Sequence, residues 1–214
     1  MITLIDYGAG NLHSLEGALD SLGFAHRRVA RPEDAPSEGL LLLPGVGHFG
    51  AAQAALRATG WWDALPRRVT EGRPLLGICL GLQLLAEGSE EAPGVPGLGL
   101  LPGFARRLGP GVKVPHMGWA PVKPVEPGFK GPGYPEPGFP EPGWLYFVHS
   151  FALPVTTATL ATAEHGRPFT ALAGQGRVLG FQPHPEKSGP FGRRLLAAAL
   201  CFLGESPFLE FPCS

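Results

Sequence analysis

Leu75-Leu76-Gly77-Ile78-Cys79-Leu80-Gly81-Leu82-Gln83-Leu84-Leu85 is the stretch on which the fold turns. Leu75 to Ile78 is apolar throughout and too short for a helix, as expected of a strand buried on both faces. From Leu80 to about Glu87 the pattern is that of a helix, and Gly77 and Gly81 permit a sharp strand-to-helix turn between the two. Such a turn lifts its central side chain out at the carboxyl edge of a sheet. Here that side chain is Cys79, at a helix N-terminus whose unpaired N–H groups and dipole favour a thiolate over a thiol. The competing reading is a buried structural cysteine, a common core residue.

Upstream, strands and helices alternate. Ile2 to Ile5 is an apolar strand, followed by the turn Gly8-Ala9-Gly10 and by Leu12, Leu15, Ala18, Leu19 and Leu22 at helical spacing. Asn11 suits the N-cap of that helix and Gly23 its end. A strand at Phe24 to Val29, the all-leucine strand Leu40 to Leu43, and helices at about 49 to 58 and from Trp61 to Glu71 complete the first half. This grammar predicts an α/β fold, a mostly parallel central sheet flanked by helices on both faces. After Glu91 it changes to short strands: Gly97 to Phe104, Trp144 to Phe151, Thr157 to Ala163, Phe169 to Ala173 and Arg177 to Gln182, closed by a helix at about Pro190 to Leu203.

The composition bounds what the chain does. At 214 residues it has room for one ordinary domain, read as 1–214. A net charge of -1 with 16% charged residues argues against a nucleic-acid binder and against a disordered acidic chain. The 32 glycines and 25 prolines concentrate between 91 and 143. From 121 to 143, where a Glu-Pro-Gly-aromatic unit recurs three times, thirteen of the 23 residues are Gly or Pro. That density predicts a turn-rich surface insert, not helix or central strand. Cys79, Cys201 and Cys213 are odd in number and never in C-x-x-C, which argues against a disulfide framework and a zinc knuckle. With no signal-like start and no long apolar run, the expectation is a cytoplasmic protein.

A thiolate that expels an amine needs a proton donor. His184-Pro185-Glu186 follows the strand from Arg177 to Gln182. In extended chain, with Pro185 discouraging helix, both side chains point one way, so that the carboxylate orients the imidazole in a Cys-His-acid set. Pro44-Gly45-Val46-Gly47-His48-Phe49-Gly50 formally matches G-x-G-x-x-G, a dinucleotide signature. It lies after the third strand, not the first, and no acid stands ready for a ribose. The preferred reading is a glycine turn whose N–H groups join that of Leu80 in an oxyanion hole. The remaining histidines mostly precede turns or sit in loops and read as surface or packing residues. No metal and no cofactor is expected.

Together these segments resemble the class I, triad-type glutamine amidotransferases, and among them the glutaminase subunits of imidazole glycerol phosphate synthase. The motifs are Asp6 to Leu12, Pro44 to Gly50, Gly77 to Gln83, Pro115-His116-Met117-Gly118-Trp119, Tyr146-Phe147-Val148-His149-Ser150 and His184 to Gly189. They run in order through nearly the whole chain. The resemblance implies a flavodoxin-like glutamine amidotransferase fold with Cys79 as nucleophile, His184 as acid/base and Glu186 as its orienter. It further implies that Gly45, Val46 and Gly47 form an oxyanion loop whose peptide reorients for activity. Glutamine would be held by Gln83, Ser150 and Phe151. Gly10, Asn11, Trp119, Tyr146 and Lys187 would face a (βα)8 synthase subunit that receives ammonia for histidine biosynthesis. Ala120, Pro183 and Phe151 depart from the usual family residues without removing a reacting group. Two other readings stay open: a stand-alone cysteine hydrolase of a γ-glutamyl or peptide bond, and a catalytically silent nucleotide-binding module.

Overall fold

The computed structural model describes residues 1–125 and 143–207. In the first half β1 (Ile2–Ile5), α1 (Leu12–Ser21), β2 (His26–Val29), β3 (Leu41–Leu43), α2 (Phe49–Thr59), α3 (Trp61–Thr70), β4 (Leu75–Ile78) and α4 (Leu80–Leu85) follow in the expected order. The second half holds β5 (Gly88–Ser89), β6 (Phe104–Arg107), β7 (His116–Pro124), β8 (Gly143–His149), β9 (Phe151–Ala152), β10 (Thr159–His165), β11 (Arg167–Gln175) and β12 (Val178–Phe181). A 3-10 turn (Pro185–Lys187) and α5 (Gly189–Phe202) end the described chain.

Among the described residues nine strands form one sheet in the order β2-β1-β3-β4-β12-β11-β10-β7-β8, and β5, β6 and β9 form a small second sheet. The run from β2 to β12 is parallel, and beyond it the sheet continues antiparallel. The strands of the second half thus extend the same sheet. Period-two alternation splits the core between its faces. Leu4, Leu42, Leu76 and Ile78 pack with α1 and α5, whereas Ile5, Leu41, Leu43 and Leu75 pack with α2, α3 and α4. Leu41 to Leu43 are wholly buried, as an apolar central strand requires.

Three local expectations need correction. The residues from Gly97 to Gly103 are not strand: Leu98 donates to the Leu84 carbonyl, Leu100 to Leu85 and Gly99 to Ala86, each at 2.8–3.0 Å. This loop satisfies the carbonyls left open at the end of α4, which stops at Leu85. β7 is a nine-residue strand paired with β8 along most of its length, hidden in the sequence by Pro121 and Pro124. Accordingly residues 121–124 and 143, read as part of the Pro/Gly-rich insert, are strand, and 126–142 lies outside the described residues. Cys201 in α5 is disulfide-bonded, contrary to the reading of the cysteines. Among the described residues no helix is long and apolar enough to cross a membrane.

Candidate active site

β4 and β12 are parallel neighbours with Ile78 opposite Phe181, so Cys79 and the segment after Phe181 leave the sheet side by side at its carboxyl edge. Cys79 has φ 55°, the one positive φ at a non-glycine position among the described residues. A side chain in that region is strained, and the surroundings must impose it. Its N–H donates to the Phe181 carbonyl at 2.6 Å, and α4 begins at Leu80. The flanking glycines are needed for space. A Cβ on Gly81 would lie 2.1 Å from the Leu43 carbonyl oxygen, and one on Gly77 would lie 2.8 Å from the Gly81 backbone.

His184 follows with its ring buried, Nδ1 2.8 Å from Glu186 Oε1. The pairing is as expected but the backbone is not. Pro185–Lys187 is a 3-10 turn with proline at its start, and that turn swings the carboxylate back to the ring, where an extended chain was anticipated. The Ser188 hydroxyl fixes the turn, donating to the His184 carbonyl at 2.6 Å and accepting the Tyr146 N–H at 2.9 Å. Burial alone would push the imidazole down, but Cys79 and Glu186, through hydrogen bonds and charge, hold it up at about 10. With Nδ1–H on the carboxylate, Nε2 is the nitrogen left for the sulfur, and among the described residues it has no hydrogen-bond partner.

The glycine turn lies opposite. Here the Leu80 N–H donates to the Gly45 carbonyl at 3.3 Å. A carbonyl therefore occupies the place where the sequence reading put converging N–H donors. The Gly45–Val46 peptide must turn over before it presents its N–H there. Tyr7 Oη donates to the Pro44 carbonyl at 2.8 Å and anchors the start of this turn. Its phenol is pushed above the usual range by burial and then by the Cys79 charge. The dinucleotide alternative loses its anion site. The start of α2 is already capped, with the Phe49 N–H on Glu91 Oε2 at 2.7 Å and the Gly50 N–H on His48 Nδ1 at 3.1 Å.

Between elbow and turn is a cavity of about 240 Å³, walled by Cys79, Gln83, Glu91, His149, Ser150 and Phe151 among others. A larger open cleft of about 600 Å³ at Arg106, Arg107 and Arg167 contains no nucleophile. Gln83 reaches the first cavity, but its amide nitrogen is committed to the Phe151 carbonyl at 2.8 Å and to Gln182 Oε1 at 3.1 Å. Glu91, Gln182, Tyr7 and His149 are the site residues that sequence reasoning missed. Tyr7 and His149 sat in quoted motifs, but neither was given a role. His116 and His149, read as surface or packing residues, are buried in β7 and β8 and packed among rings, which is the second of those readings. His149 Nδ1 contacts the Phe151 carbonyl at 3.0 Å and Nε2 contacts His116 Nδ1 at 3.1 Å. His165 stacks on His116 with ring centroids 4.2 Å apart. Burial holds His116 down at about 4 and His149 at about 3.

Of the residues assigned to a partner surface, Trp119 and Tyr146 are cross-strand neighbours with rings 6.2 Å apart. Trp119 is 51% exposed, and Met117 and Trp144 on the same face of the β7–β8 pair are 63% and 58% exposed. Asn11 caps α1 by accepting the Ser14 N–H at 3.4 Å, Gly10 takes φ 123°, and Lys187 is exposed at the end of the 3-10 turn.

Comparison with known proteins identifies the family and the fold. The family model for glutamine amidotransferase class-I matches residues 3–201. The imidazole glycerol phosphate synthase subunit HisH of Thermus thermophilus is 44% identical over 197 residues, covering 92% of this chain and 94% of that protein. The HisH subunit of Synechococcus sp. CC9605 is 45% identical over 205 residues, covering 94% and 93%. Among solved structures, a glutamine amidotransferase superposes with a TM-score of 0.68 at 20% identity over 93% of this chain and 97% of its own. PurLQS from Thermotoga maritima gives 0.69 at 19% over 94% and 98%. The parallel β4–β12 pair that sets Cys79 beside His184 is thus part of a shared fold, and the chain belongs to the class I glutamine amidotransferase family, alongside the HisH subunits of imidazole glycerol phosphate synthase.

Proposed function

We propose that this protein is the glutaminase subunit of an imidazole glycerol phosphate synthase, acting in the cytoplasm. It hydrolyses glutamine to glutamate and ammonia and passes the ammonia to a (βα)8 synthase subunit in histidine biosynthesis. The observation that carries this reading is the buried His184, with one ring nitrogen on Glu186 at 2.8 Å and the other left for Cys79.

The Cys79 thiolate attacks the side-chain amide carbon of glutamine, and the electron pair of the C=O moves onto oxygen. The Leu80 N–H, freed from Gly45, and the Val46 N–H of the turned peptide take that charge. One such donor is worth about 3 kcal/mol in acyl transfer. The imidazolium of His184 protonates the departing nitrogen, the C–N bond breaks, and ammonia leaves behind a glutamyl thioester. Neutral His184 then takes a proton from water, whose oxygen attacks the thioester and releases glutamate and thiolate. Glu186 keeps the proton of His184 on Nδ1 throughout. Ser150, Phe151 and Gln83 line the amino-acid end of the cavity, where Glu91 supplies a negative charge for an α-ammonium group.

The occupied Leu80 N–H supports a resting state without a working oxyanion hole and a glutaminase that waits for its partner. The exposed Met117, Trp119 and Trp144 support a docking face on the β7–β8 pair. The test compares glutamine hydrolysis by the chain with and without the synthase subunit, together with Cys79→Ala. Stimulation by the subunit is expected, and the variant is expected to lose hydrolysis while the complex still uses added ammonia. Full turnover by the chain alone, unmoved by the synthase, would instead establish a stand-alone cysteine hydrolase.

A further inference from the structure

Gln182 lies between β12 and His184, wholly buried, with its backbone N–H on the Ala171 carbonyl at 2.8 Å. Its side chain meets two groups: Gln83 Nε2, 3.1 Å from Oε1, and the Cys79 sulfur, 3.7 Å from Nε2. An amide of this kind is ordinarily ambiguous in orientation, because its oxygen and nitrogen are alike in shape. Here the surroundings fix it. The Phe151 carbonyl can only accept, so the Gln83 atom 2.8 Å from it is the NH2 group, and the His149 atom 3.0 Å from it is a protonated Nδ1. The second hydrogen of that NH2 group requires an acceptor, which makes the Gln182 atom facing it oxygen. Nitrogen is left for the sulfur.

We propose that Gln182 is a further catalytic residue of this site, its amide N–H donating to the Cys79 sulfur and stabilising the thiolate. The proposal rests on Cys79 being the nucleophile. A thiol turns its proton to the Val148 carbonyl, 3.9 Å from Sγ. The thiolate gives up that contact and keeps the amide, and a charged sulfur is the better acceptor of the two forms. The contact is therefore stronger in the reactive state than in the resting one. His149 and Gln83 act one step further back, as positioning residues that hold the amide in its donating sense. The other titratable groups around the sulfur are His184 and Tyr7, which feel its charge, and Glu91 and His149 in the cavity wall. None of them replaces an N–H at this position.

The experiment is the rate of Cys79 alkylation by iodoacetamide across pH, read by peptide mass mapping, in the full-length chain and in Gln182→Met and Gln182→Glu. The midpoint of the profile is expected to rise by about one pH unit in the methionine variant, a tenfold loss of thiolate at a given pH, and further in the glutamate variant. Glutaminase kcat of the complex is expected to fall roughly tenfold with KM little changed, since Gln182 does not line the substrate cavity. A merely structural role would lower the melting temperature and leave the midpoint in place. That result in a folded variant overturns the proposal. In the wild-type chain the side-chain amide protons of Gln182 must also shift in NMR spectra as Cys79 titrates, and unmoved resonances overturn the proposal however the variants fold. Failure of the nucleophile reading looks different: the wild-type cysteine would resist alkylation, and Cys79→Ala would retain glutaminase activity.

Discussion

Acidification from about pH 7.5 to about pH 4.5 is expected to destabilise the chain through one side chain in particular. His149 is 6% exposed, and its Nδ1–H is held by the Phe151 carbonyl. Burial keeps it neutral down to about 3, against an ordinary value of 6.5, with His116, His165 and His184 opposing its charge as well. A depressed basic group means that between those two values the unfolded chain binds the extra proton and the folded chain does not, so stability rises with pH through the window and is lost on acidification. At about pH 4.5 the unfolded state has gained the proton by about two pH units and the folded state has not, which corresponds to about 3 kcal/mol. His149→Asn keeps a side-chain N–H for the Phe151 carbonyl and removes the titration. Urea unfolding of both proteins at the two pH values, followed by tryptophan fluorescence, gives the difference, in which the contributions of carboxylates and of His116 largely cancel. Wild type should lose about 2 to 3 kcal/mol more than the variant. Equal losses would mean that His149 carries a proton in the fold, and the account in which burial keeps it neutral would fall.

Two further substitutions probe the frame of the site. Gly81→Ala would set a methyl group 2.1 Å from the Leu43 carbonyl, forcing α4 away from β3. A loss of about 3 kcal/mol by denaturant titration, with glutaminase activity abolished, is expected, and a variant as stable and active as wild type would refute the packing account of the elbow. Glu91→Ala removes the acceptor of the Phe49 N–H at 2.7 Å and a negative charge from the cavity wall. It should cost about 1 kcal/mol by urea titration and raise KM for glutamine more than it lowers kcat. An unchanged KM would remove Glu91 from the ammonium end of the site.

How much of this could be read from the chain depends on how local the determining physics is. The elbow was legible because everything that makes it is contiguous: four strand residues, two glycines at fixed offsets and a helix that starts at once. β1, β3 and β4 were legible for the same reason, their burial on both faces leaving apolar runs such as Leu41 to Leu43. His184 and Glu186 were legible as a pair but not in their geometry, because Pro185 is compatible both with extended chain and with the first position of a 3-10 turn. Only the packing of Ser188 against Tyr146 decides between the two. β7 was not legible, since prolines and Gly118 conceal a strand whose partner begins beyond the insert.

The residues missed altogether share one property: each acts through a contact that spans the chain. Tyr7 meets Pro44, Gln182 meets Cys79, and His149 meets His116. In sequence each is an ordinary core residue, and nothing in its neighbours distinguishes a glutamine that fills space from one that aims an N–H at sulfur. The distinction appears only when the acceptors around it are counted. In a buried network every donor must find a partner, so a single carbonyl that can only accept propagates its demand through Gln83 and Gln182 to the Cys79 sulfur. The same accounting explains the glycine turn. The Leu80 N–H cannot stay unpaired in the interior, and without substrate the Gly45 carbonyl is its partner. In the proposed mechanism, the price of a quiet resting state is an oxyanion hole that must be uncovered before the first bond is made.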